Sequence, residues 1–70
     1  MKYFSFPHLT KIEEKRVKTY GIVVFDNAFY VKFVKDVTTD HNAIKHLVKD
    51  LNDYQIELIH LNDVIEDFIG

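Results

Sequence analysis

Three side chains near the end of the chain have the types and spacing of a metal site: His60, Asp63 and Asp67. On a helix that begins near His60 they fall at i, i+3 and i+7, on one face. An imidazole and two carboxylates there suit zinc or another divalent ion. The chain carries eleven acidic residues, so the spacing arises readily without a metal. In the simpler assignment His60 closes the start of the helix, Asp63 favours the positive end of its dipole, and Asp67 faces solvent. We adopt that assignment, and expect no metal and no cofactor. Of the other histidines, His46 stands four residues before Asp50 as an exposed helix pair, and His41 falls in a first helical turn. A pH switch through His8, His41 or His46, near the unperturbed pKa of about 6.5, has no further support in the sequence.

Nucleophilic catalysis finds as little. There is no Cys, and Ser5 and four Thr are the only hydroxyls beside Tyr. Ser5 is followed by Phe6 and Pro7, with no strand–turn–helix elbow to expose it. Gly21 and Gly70 stand alone, so no glycine-rich loop cradles a phosphate. A chain of 70 residues also has little room beside its core for a deep pocket of about 300 Å³ or more. We expect a protein that is not an enzyme.

The elements that position these groups follow from pattern. The chain reads as one domain, residues 1–70, with strands over 1–37 and two helices over 38–70. Arg16 to Phe25 and Phe29 to Val37 are rich in Val, Ile, Phe, Tyr and Thr and read as a hairpin around Asp26 and Asn27. An even loop places Val24 opposite Phe29, Ile22 opposite Val31 and Tyr20 opposite Phe33. One face is then Tyr20, Ile22, Val24, Phe29, Val31 and Phe33, almost wholly apolar. The other is mixed: Val17, Thr19, Gly21, Val23, Phe25, Tyr30, Lys32, Val34 and Asp36. A three-residue loop would instead place Lys32 opposite Ile22 and Phe33 opposite Gly21. We prefer the even loop because it segregates the faces better. Upstream, Lys2 to Phe6 and Leu9 to Glu13 look extended, interrupted by Pro7, with a turn at Glu14 and Lys15.

In the second half Thr38, Thr39 and Asp40 offer N-cap oxygens. Ala43, Ile44, Leu47, Val48 and Leu51 follow at helical spacing, and Asn52 and Asp53 end the run. Tyr54, Gln55 and Ile56 connect to a second stripe of Leu58, Leu61, Val64, Ile65 and Phe68, with Gly70 where a helix would stop. The expected fold is α+β: an antiparallel meander of two to three strands, then two helices packed on one face of the sheet.

The stretch from Arg16 to Ile22, with its Tyr20-Gly21-Ile22 element, resembles a family of short uncharacterised bacterial proteins. The likeness extends to Asp36-Val37-Thr38-Thr39-Asp40, and most specifically to His60-Leu61-Asn62-Asp63-Val64-Ile65-Glu66-Asp67-Phe68. It covers most of residues 16–69. The family is a domain of unknown function, found mainly in spore-forming Gram-positive bacteria. The resemblance implies an intracellular α+β protein of this length and lends no activity, cofactor or site.

Composition narrows the classes of function. Apolar residues make up 47% and charged residues 29%, the mix of an ordinary soluble domain. The longest apolar stretch is far too short for a membrane span, and the first residues lack the apolar core of a secretory signal. The start at Met1 is expected to mark a complete short protein, and the absence of Cys fits a reducing cytoplasm. Net charge is −2, but it is segregated. Residues 1–35 carry seven basic against three acidic side chains, and residues 36–70 two against eight. The two halves attract as layers of one domain, or make head-to-tail or edge contacts between copies.

Below roughly 70–80 residues a single core seldom supplies more than about 3–5 kcal/mol. Disulfides are absent, so self-association is the leading additional stabiliser. We expect a homodimer, or a second protein partner, bound through the mixed outer face: Val17, Val23, Phe25, Tyr30, Lys32 and Val34. In the competing arrangement the N-terminal segment, with Tyr3, Phe4, Phe6 and Leu9, folds across that face. The alternative function is single-stranded nucleic-acid binding, with aromatics stacking bases and Lys18, Lys32 and Lys35 meeting phosphates. The net charge and a single Arg stand against it.

Overall fold

A computed structural model describes residues 1–70. Three strands, β1 (Lys2–Ile12), β2 (Lys15–Asp26) and β3 (Phe29–Thr38), precede two helices, α1 (His41–Asp53) and α2 (Leu58–Ile69). The strands form one antiparallel sheet in the order β1-β2-β3. The α+β meander with two helices on one face is as expected. The first strand is continuous through Pro7, which pairs with Tyr20. Pro is tolerated there because β1 is an edge strand and its missing N–H points away from β2.

The β1–β2 turn falls at Glu13 and Glu14, one residue earlier than expected, and both adopt left-handed φ values of 49° and 66°. Asn27 begins the β2–β3 turn at φ 56°, a conformation Asn tolerates well. Helix α1 starts where Asp40 accepts a hydrogen bond from the Ala43 N–H at 3.1 Å, so the third of the three candidate caps is used. Its last turn gives way to Gln55 at φ 50°, and the Ile56 N–H closes back on the Leu51 carbonyl at 3.1 Å. Gly70 ends α2 at φ 97°.

The core lies between sheet and helices. Tyr3 from β1, Ile22 and Val24 from β2 and Val37 from β3 meet Ile44, Leu47 and Leu51 of α1 and Leu61 and Ile65 of α2. Helix α1 lies across all three strands, and α2 rests against β3. With nine buried apolar side chains this is a small core.

The hairpin register departs from expectation. Phe29 pairs with Asp26 and Tyr30 with Phe25, but the next pair is Val24 with Lys32. Val31 is an extra residue on β3, a bulge, and it shifts every later pairing. Val23 then faces Phe33, and Ile22 faces Val34. A second irregularity sets Gly21 alone against residues 35–37, with Asp36 at φ 53°. A Cβ on Gly21 would lie 2.3 Å from the Val34 carbonyl oxygen, so only glycine admits this approach.

Candidate interaction surface

In an antiparallel sheet, side chains of paired residues share a face and alternate along each strand. With Tyr3, Ile22 and Val24 turned to the helices, Phe4, Phe6, Val23, Phe25, Tyr30 and Phe33 share the opposite face. No helix covers it. Phe4 is 47% exposed, Phe6 46% and Tyr30 62%, while Val23, Phe25 and Phe33 are half-buried by one another.

The rings stand edge to face. Phe4 meets Phe25 with centroids 6.0 Å apart, Phe6 meets Phe33 at 5.2 Å, and Phe25 meets Tyr30 at 6.2 Å. Ring quadrupoles favour this arrangement. Phe6 is the cross-strand partner of Gly21, so its ring leans towards Phe33 beside a position that has no side chain. Phe4, Phe25 and Tyr30 thus form a chain of contacts across all three strands, and Phe6 and Phe33 form a second pair that spans the middle strand.

Of the six residues expected on the outer face, Val17, Val23, Phe25 and Tyr30 are there. Lys32 and Val34 are not. The Val31 bulge turns Lys32 to the helix side, where its Nζ donates to Asn62 Oδ1 of α2 at 3.3 Å, and Val34 packs on the core. The same shift carries Phe33, expected in the core, to the open face. Phe29, also expected in the core, is 76% exposed at the hairpin tip. The N-terminal segment does not fold across the face. It pairs with β2 as a strand and adds Phe4 and Phe6 to the surface. The sequence pattern alone gives the first strand no register, and so does not place these two residues on the face. The strand's alternation of Tyr3, Ser5 and Pro7 against Phe4, Phe6 and His8 was the available signal.

At the far end of the face Thr19 is buried. Its hydroxyl lies within hydrogen-bond reach of the His8 carbonyl at 3.3 Å and of the Asp36 carboxylate, to which it donates. The hydroxyl of the middle strand thus faces Asp36 in the second irregularity of β3 on one side and the His8 carbonyl of β1 on the other. Lys18 Nζ sits 5.7 Å from the Tyr20 ring centroid, and Tyr20 also meets the His41 ring.

His60, Asp63 and Asp67 are all exposed on α2, and no three His or acidic side chains come together as a metal-binding group. The i, i+4 ion pair on α1 is Lys49 with Asp53, rather than His46 with Asp50. The Asp53 carboxylate beside Lys49 raises the lysine pKa. The largest concavity is an open groove of about 1040 Å³ between the start of β1 and α2. It is lined in part by Met1, Lys2, Phe4, Ile56 and Ile59 and holds no convergent set of catalytic groups.

A family model described as Family of unknown function (DUF6514) matches residues 2–70. The chain belongs to this family. The match spans all three strands and both helices, and so includes every aromatic residue of the open face. No curated protein and no solved structure matches the chain. No helix is long and apolar enough to cross a membrane.

Proposed function

We propose that this protein is a small, non-catalytic protein-interaction module that self-associates through the open face of its sheet. The observation that supports it is the uncovered aromatic surface made by the Phe4–Phe25–Tyr30 chain and the Phe6–Phe33 pair. Large exposed apolar patches mark association surfaces, and aromatic residues are enriched in the buried centres of interfaces. The small core gives a second reason, because a partner subunit adds burial to that of the nine buried apolar side chains. A cytoplasmic location accords with the absence of Cys.

Nucleic-acid binding has weaker support. Lys32 is engaged by Asn62 on the opposite face, which leaves Lys2, the cross-strand partner of Phe25, as the lysine paired with one of the rings. Light scattering across a concentration series tests the main reading. A mass of two chains in the micromolar range supports it, and a monomer throughout sinks it. A rise in anisotropy of labelled oligonucleotides at about 50 mM salt, where phosphate contacts are strong, would favour the alternative.

A further inference from the structure

We infer that the self-association is a closed, two-fold, face-to-face packing of two sheets, a six-stranded sandwich, and not an extension of the sheet through its edges. This rests on the reading that the open face is an association surface, and it names the occupant of that face as a second copy of the chain.

The edges argue first. An unpaired strand edge recruits another strand unless something blocks it. On β1 the outward backbone groups belong to Tyr3, Ser5, Pro7, Leu9 and Lys11, because the Tyr3 N–H and carbonyl both point away from β2 to Asn52. Asn52 therefore occupies one position of that edge, and Pro7 removes the donor at another. On β3 the Val31 bulge and the irregularity at residues 35–37 break the regular ladder that a new strand would need. Both edges are blunted, while the face is left bare.

The face argues next. Its centre carries no charged side chain, so two copies meet there without like charges in contact. Aromatic side chains present about 150–250 Å² each; Phe4, Phe6 and Tyr30 are roughly half exposed and Phe25 and Phe33 less so, and together they offer on the order of 300–500 Å² per copy. Two such faces bury roughly 600–1,000 Å², approaching the lower bound for a specific interface and in the range of a weak, reversible dimer. Because β2 is the middle strand, a two-fold axis through the face crosses β2 with itself, and Val23 lies near that axis. An isologous contact of this kind closes at two copies, whereas edge pairing through β1 or β3 leaves a further edge open.

Two substitutions separate the modes. Val23→Lys places a charge at the centre of the face and leaves both edges unchanged. Ser5→Pro removes an outward N–H from the β1 edge, costs no bond to β2, and leaves the face unchanged. Molar mass is read by light scattering, with circular dichroism to confirm the fold. The inference expects a wild-type dimer, a folded monomer for Val23→Lys and an unaltered dimer for Ser5→Pro. If Val23→Lys fails to fold, Tyr30→Lys, at an already exposed position, serves in its place and is expected to weaken the dimer at least tenfold. Loss of the dimer in Ser5→Pro, alone or together with the face variant, overturns the inference in favour of edge pairing. Species larger than two chains that persist in the face variant overturn it too. A wild-type monomer at every concentration overturns the underlying reading instead.

Discussion

The side chain of Asn52 pairs with both backbone groups of Tyr3: the Tyr3 N–H donates to Oδ1 and Nδ2 donates to the Tyr3 carbonyl, each at 2.9 Å. One amide at the end of α1 thus reproduces the two bonds that a neighbouring strand would make. Only Asn or Gln presents a donor and an acceptor in this arrangement, and Gln is a methylene too long. Asn52→Leu leaves two backbone groups of β1 without these partners. We expect a loss of about 1–3 kcal/mol, a fall in Tm of several degrees for a domain this size. Urea unfolding of the two proteins checks it. No change in midpoint would mean that water replaces the amide without cost.

Tyr3 makes a third bond, its buried hydroxyl donating to the Ile56 carbonyl in the connector between the helices. Burial pushes its phenol pKa above the ordinary 10.0. A group whose folded pKa is raised contributes stability that is complete below the unfolded value and is lost as pH rises through the folded one. The wild-type protein is therefore expected to lose stability above pH 10.0 more steeply than Tyr3→Phe. At neutral pH that variant is weaker by about 1–2 kcal/mol, because the Ile56 carbonyl loses its partner. Denaturant titrations at neutral and alkaline pH separate the two effects, and parallel alkaline slopes would refute the assignment.

Two glutamates in left-handed conformation form the β1–β2 turn, where hairpins with both central residues at positive φ favour Asn-Gly. Non-glycine residues held there cost of order 1–3 kcal/mol each. Replacing the pair by Glu13→Asn with Glu14→Gly is expected to raise stability by about 1–2 kcal/mol, read as a higher unfolding midpoint. An unchanged midpoint would mean that the glutamates are not strained.

Gly21 is held by close approach. Its missing Cβ would collide with a backbone carbonyl, which cannot swing aside as a flexible side chain can. Gly21→Ala is expected to cost at least about 1–3 kcal/mol, the usual range for overpacking a tight site. Equilibrium unfolding measures it, and a neutral result would show that β3 slides freely past β2 at that point.

Much of this architecture was legible in the residues. The helices were, because Ile44, Leu47, Leu51, Leu61 and Ile65 repeat at a helical period and Asp40 marks a start. The turn at Asn27 was legible from its chemistry. The face of β3 was not, because side-chain facing is a matter of parity and one uncounted residue reverses it. Nothing about Val31 marks it as that residue, since a β-branched side chain suits a regular strand equally well. The second irregularity did carry a signal, a lone glycine within a strand pattern. Pro7 misled in the opposite direction: it reads as a break in any central strand and is harmless on an edge. The open face is therefore legible in the residues of β2, only in part in those of β3, and not in those of β1.

The Val31 bulge also has a meaning for variation in chain length. Without Val31 the hairpin counts as a regular ladder, with Tyr30 opposite Phe25 and Lys32 directly following opposite Val24. The residue behaves as an insertion that the sheet has absorbed, and every side chain beyond it keeps its present face when it is removed. A deletion at this position is expected to fold and to retain the aromatic surface. Deletion of Val23 on the central strand is expected to abolish the native fold, which thermal unfolding of the two shortened chains would compare. The same sheet is thus permissive to length change at one point on β3 and intolerant of it on β2, where both neighbours depend on the count.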